Sequence, residues 1–233
     1  MPKEVSKPVT KDIKVIVRAV RETDDLDTPL YAINWFSTKR AWMYSLYLSL
    51  AVTQVKTVGA FPVFKAFVGE TLEGDPQLAR EQLLIVRYPH ATAFLTLASK
   101  TLFQIISILR INSVKDFTFN FTEKITHEPR PENYKSRHHV VHFFTGTSEA
   151  ETAYRKLADD EAVKLTYFGR MKAELMAQRG EKSPRGIPYL MNHFAVWEAA
   201  DADSLKNFLA EPAFVALRAT VERNYVATLD RVL

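Results

Sequence analysis

Cysteine is absent from the 233 residues. That removes disulfides, thiolate metal sites and cysteine nucleophiles together. Glycine is scarce at 7 residues, and the motifs built on it are missing: neither a Gly-x-Gly-x-x-Gly dinucleotide fingerprint nor a Gly-x-Ser-x-Gly nucleophile elbow occurs. The stretch Gly180 to Gly186 (GEKSPRG) lacks the order of a phosphate loop and lies between two expected strands. Long apolar runs are lacking too. The most apolar segment, 41–60, is interrupted by Gln54 and Lys56 and reads as a buried helix rather than a membrane span. The opening MPKEVSKPVTKD has no apolar core of a secretory signal, so a cytoplasmic location is expected. Charge of one sign is in small excess, 31 Lys and Arg against 27 Asp and Glu. The basic residues are scattered rather than gathered in a stripe, which argues against nucleic acid as a partner.

What is present is apolar and aromatic. Hydrophobic residues make up 47% of the chain, with 15 Phe, 9 Tyr and 3 Trp, enough for one large domain or two small ones. One short stretch occurs twice. Residues 29–37 read PLYAINWFS and residues 137–145 read RHHVVHFFT. Aligned without gaps, Leu30 falls on His138, Ile33 on Val141, Asn34 on His142 and Phe36 on Phe144. Both are rich in aromatic and β-branched residues, as buried strands are.

The rest of the chain repeats around these two strands. After the first come a helix over 41–58 ended by Gly59, strands over 61–70 and 81–88, a helix over 91–111 and a strand over 116–122. In that last strand Phe117, Phe119 and Phe121 alternate with Thr118, Asn120 and Thr122. After the second come a helix opened by the capping box Ser148-Glu149-Ala150-Glu151, strands over 167–178 and 188–197, a helix capped by Asp203 or Ser204 and a strand over 225–233. The pattern predicts two βαββαβ units: 28–123 and 137–233, joined by a polar linker, 124–136. Residues 1–27 are read as a leader, with a possible edge strand over 12–20.

This element order is the ferredoxin-like split β-α-β arrangement, an α+β class in which one sheet face carries helices and the other is left bare. A bare face has to be buried, here against the other unit or another chain. In this the chain resembles the dimeric α/β-barrel superfamily, in a tandem two-unit form similar to antibiotic-biosynthesis monooxygenases and stress-response barrels. The resemblance implies a barrel of antiparallel sheets holding a small ligand, and possible homo-oligomers. It also implies a cofactor-independent enzyme of monooxygenase, isomerase or cyclase type acting on a small apolar or aromatic molecule. The alternatives are a non-catalytic binding or assembly protein, or, by likeness to the tandem chlorite dismutases, a haem-binding barrel. No proximal-haem signature is evident, so no cofactor is expected.

Alternation along strands divides each into two faces. Placing the more polar sets on the bare face puts His142, Asn192 and Asn34 there as catalytic candidates. His138, Arg87, Lys172, Glu174, Phe144 and Asp230 join them as substrate-binding candidates. His142 is the expected acid–base group, because imidazole titrates near neutral pH. The cluster His138, His139, His142 suggests a metal, but four residues along a strand span about 13 Å, too far for one ion. No metal is expected, and no membrane partner.

Overall fold

A computed structural model describes residues 28–127, 137–157, 163–179 and 191–233, with Val17, Val20 and Arg21; over 123–127 and 173–179 it describes the backbone alone. The first unit runs β1 (Leu30–Thr38), α1 (Ala41–Lys56), β2 (Phe61–Glu73), β3 (Gln82–Tyr88), α2 (Ala91–Ser99), α3 (Thr101–Ser113) and β4 (Val114–His127). The second runs β5 (His138–Thr145), α4 (Ser148–Leu157), β6 (Val163–Arg179), β7 (His193–Ala199), α5 (Ala202–Ala210), α6 (Pro212–Thr220) and β8 (Arg223–Arg231). The connector expected over 124–136 begins within β4. Its residues 128–136 lie outside the described residues, as do 180–186 and 188–190.

All eight strands pair antiparallel in the order β1-β3-β2-β8-β5-β7-β6-β4, closing a barrel within the one chain. Each unit contributes a sheet with its first and third strands inside. The joins are made by the outer strands, β2 with β8 and β4 with β6. The gapless echo survives in space: Ile33 is flanked by Ile85 and Asn120, Val141 by Val196 and Ala227.

Closure gives three apolar layers. The barrel interior packs Ile33, Trp35, Ile85, Val141, Phe143 and Phe194 from both units. Outside the first sheet, α1 to α3 pack Tyr44, Val55, Leu97 and Phe103 onto Ala32, Phe36 and Phe121. Outside the second, Tyr154, Phe208 and Phe214 pack onto Val140, Phe144 and Trp197. Both faces of the central strands are therefore buried.

Two expected single helices are broken pairs. The segment over 91–111 divides at Lys100, an extended residue, and α2 and α3 meet at 87°. The last helical segment divides at Glu211, which precedes Pro212. The proline ring excludes helical geometry from the residue before it. The cap of α5 is Asp201, whose carboxylate accepts from the Ser204 amide at 2.7 Å. The edge strand expected over 12–20 is not found at its described residues: Val17 and Val20 are helical and pack on the first helix layer. A closed barrel has no edge to extend.

Gly74 makes the tight end of β2 possible. Its φ is +95°, and a Cβ there would stand 2.6 Å from the Asn224 carbonyl oxygen and 3.0 Å from Tyr225 Cα. Gly74→Ala is expected to cost about 1–3 kcal/mol, since strain and clash act together. Urea denaturation of both proteins measures it; a difference of a few tenths would mean that the turn yields freely.

Candidate functional site

The barrel interior is mostly aromatic. Edge and tilted ring contacts run from Tyr31 to Tyr167 (5.4 Å), Phe194 (4.9 Å), Phe143 (5.2 Å), Trp35 (5.2 Å) and Tyr225 (6.0 Å), crossing from unit to unit three times. The polar groups among them gather where β5 begins and β7 and β8 end.

There His139, Glu198 and Arg231 share the interior alternation with Val141, Val196 and Leu229. Glu198, only 2% exposed, accepts from His139 Nε2 at 3.0 Å and Arg231 Nη1 at 3.4 Å, and pairs with Arg137. Burial pushes its carboxyl pKa up, but the His139 hydrogen bond and the charges of His139, Arg137 and Arg231 outweigh it and hold the group below the usual range. Phe64 closes one side, its ring 5.7 Å from the imidazole and 4.6 Å from the Arg231 guanidinium. The Nδ1 atom of His139 is buried and has no hydrogen-bond partner among the described residues.

This geometry assigns roles. An ionised carboxylate accepts only, so Nε2 of His139 carries the hydrogen. When the ring is neutral, Nδ1 holds a lone pair and can accept a proton; when it is protonated, both nitrogens carry hydrogen and Glu198 balances the charge. Two further polar groups line the interior. The Thr122 hydroxyl donates to the Tyr31 carbonyl at 3.2 Å and so accepts from the Tyr167 hydroxyl at 2.6 Å. Asn120 donates to the Lys172 carbonyl at 2.8 Å, and its Oδ1 has no partner among the described residues.

The residues named from sequence are spread over both sides of the sheet. His142 lies beneath the helices, correcting its expected place in the cavity. It is fully buried, Nδ1 hydrogen-bonded to the Tyr154 hydroxyl and the ring against Phe144 and Phe214. Burial first and the Arg218 charge second push its pKa down to about 3. Asn34 also faces the helices, donating to the Ala32 and Leu84 carbonyls. Phe144 does likewise, stacked 4.8 Å from Tyr154. Asn192 precedes β7 and ties down the β5–α4 loop: its Oδ1 accepts from the Gly146 amide and its Nδ2 donates to the Gly146 carbonyl. His138 and Asp230 are exposed, on the alternation opposite the interior. Lys172 is half-buried, and the Glu174 side chain lies outside the described residues. Arg87 shares the interior alternation of Leu83 and Ile85 and sits over Phe61 at the same end of the barrel as Tyr31. Among the described residues, no three His, Asp or Glu side chains are grouped to hold a metal ion.

The polarity rule failed on β5 and β8 for one reason. Closure buries the inner face in aromatic side chains, so the inner face is no more polar than the outer. Glu198 and Arg231 carry the signal that polarity could not. They are charges of opposite sign near the ends of β7 and β8, on the alternation that otherwise carries Phe194 and Val196 in β7 and Tyr225, Ala227 and Leu229 in β8.

Neither a protein-family model nor a curated protein matches the sequence. Solved structures do match. A candidate monooxygenase from Fusobacterium nucleatum superposes with a TM-score of 0.55 over 91% of this chain and 94% of its own, at 14% identity. An anthrone oxidase-like protein superposes at 0.54 over 89% and 92%, at 11% identity. A chlorite dismutase variant from Candidatus Nitrospira defluvii reaches 0.49 over 89% and 93%, at 8% identity. The chain shares the fold of the first two, an eight-stranded antiparallel barrel built from two ferredoxin-like units. At such identities the likeness speaks for the fold alone.

Proposed function

We propose that the chain is a cofactor-independent enzyme acting on a small aromatic or apolar molecule held in the barrel, with His139 as proton acceptor and Glu198 as its orienting partner. The observation that carries this reading is the buried Nδ1 of His139, without a hydrogen-bond partner among the described residues, opposite an Nε2–H directed at an ionised carboxylate. Taking a proton from an activated C–H or O–H leaves a delocalised anion on the substrate and an imidazolium that Glu198 stabilises. Oxygenation, isomerisation and cyclisation can each begin from such an anion. The aromatic lining suits a flat apolar ligand, and Arg87 at the rim suits an oxygen substituent. That two proteins of this fold are described as a candidate monooxygenase and as anthrone oxidase-like supports the same class of chemistry.

Anthrone is a direct probe: with one O2 it gives anthraquinone and one water, so oxygen uptake and quinone absorbance can be followed together. The purified protein is expected to turn it over, and His139→Gln to lower kcat roughly 100-fold or more. An unchanged rate in His139→Gln would remove His139 from the mechanism. Failure of a panel of aromatic ligands to bind would favour a second reading, a barrel closed for assembly alone. The unbroken ring contacts from Tyr31 to Tyr225 speak for that one.

A further inference from the structure

The two helix layers differ in what they show to solvent. On α1, Trp42, Leu46 and Leu50 recur at every fourth residue and are exposed, Trp42 at 68%. On α3, Leu102, Ile105 and Ile108 are exposed, Ile105 at 57%. The two helices pack against each other on the outer face of the first sheet, and their buried residues (Tyr44, Tyr47, Phe103, Ile106) are already apolar. A contiguous apolar stripe exposed beside one already buried ordinarily marks a surface that meets a partner. On the second unit the matching helices expose one large apolar residue, Val215.

Charge says what could cover the first layer. Neither 28–69 nor 82–115 contains a single Asp or Glu, while Lys39, Arg40 and Lys56 are exposed at the two ends of α1. The second layer is mixed, with Glu149 and Glu151 on α4 and Asp203 on α5. Among the described residues of α1 and α3 there is no acid, so a second copy meeting this face by the same face would set base against base. An anionic lipid surface answers both features, apolar contact beneath and negative charge around it. Among the described residues no single helix is long and apolar enough to cross a membrane, which leaves lying on the surface as the mode.

We propose that the α1/α3 face of the first unit is a peripheral docking surface for an anionic bilayer, with Trp42, Leu46, Leu50 and Ile105 entering the headgroup region and the basic residues of α1 meeting the lipid charge.

The test is co-sedimentation of the full chain with vesicles of phosphatidylcholine alone and with 30% phosphatidylglycerol, alongside tryptophan emission. Trp35 and Trp197 are fully buried, so a lipid-dependent change reports Trp42. Partitioning is expected to be about tenfold stronger on the anionic vesicles and to weaken with salt. Trp42 emission should shift to the blue and be quenched by brominated acyl chains. Leu46→Glu with Ile105→Glu should abolish binding with an unchanged far-ultraviolet circular dichroism spectrum, since both sites are solvent-facing. Three outcomes would overturn the proposal. One is equal, weak partitioning on both vesicles. Another is a salt-resistant dimer in sedimentation velocity that the double variant dissociates, making the occupant a second copy. The third is a Trp42 already shielded from iodide without lipid in the monomer, making the occupant the chain's own N-terminal residues.

Discussion

Glu198→Gln is expected to destabilise the protein by about 3–5 kcal/mol, the range for removing one partner of a buried ionic group. Three cationic or hydrogen-bonding side chains converge on this carboxylate: His139, Arg231 and Arg137. A neutral amide of the same size keeps the packing but removes the negative charge that Arg137 and Arg231 both face. The sign of the pH effect follows. The folded carboxyl lies below its ordinary value of 4.5, because its partners outweigh burial. Its contribution is therefore complete above 4.5 and is lost as pH falls through the folded value. Urea unfolding at pH 7 and pH 4 tests both parts. Glu198→Gln should lose stability at pH 7 and show a smaller further loss on acidification. A cost under 1 kcal/mol at pH 7 would mean the cluster is solvated, and the His139 pairing would lose its basis.

The second large effect belongs to His142. Its folded pKa is held near 3 against an ordinary 6.5, first by burial and then by the Arg218 charge. Between those values the unfolded chain takes a proton that the folded chain refuses. Stability is thus full above 6.5 and declines as pH falls, approaching a slope of about 1.4 kcal/mol per pH unit until pH 3. His142→Phe should flatten the curve by up to that slope between pH 6.5 and 4.5, a window that lies above the Glu198 titration. It should also lower stability at neutral pH by about 1–3 kcal/mol, because the Tyr154 hydroxyl loses its partner. Unfolding curves at pH 6.5, 5.5 and 4.5 decide it. Parallel curves for the two proteins would mean that His142 titrates as if in water.

The sequence was sufficient for the element order and the two ferredoxin-like units, whereas closure of the barrel within one chain was decided by the tertiary structure. The first two rest on local signals: the gapless echo that puts Ile33 and Val141 at equivalent places and the Phe117-Phe119-Phe121 alternation. Local signals also misplaced some boundaries. Nothing in the run 91–113 marks Lys100 as a bend of 87°, because a break between two apolar helices is set by what each must pack against.

Which face of a strand points inward was settled by tertiary structure alone. Alternation divides β5 into His138, Val140, His142, Phe144 and His139, Val141, Phe143 whatever the fold, and either set could be the inner one. In an open sheet the wetter face betrays itself by polarity. Here the outer face meets helices and the inner face meets the other unit, so both are apolar, and His142 and His139 are equally plausible on sequence. The choice between them came from partners 59 and 92 residues away: Glu198 lies 59 residues beyond His139 and Arg231 lies 92 beyond it. Pairing of β5 with both β7 and β8 in the second sheet brings those charges to one imidazole, and closure of the barrel over that face buries them, which gives the group its chemistry.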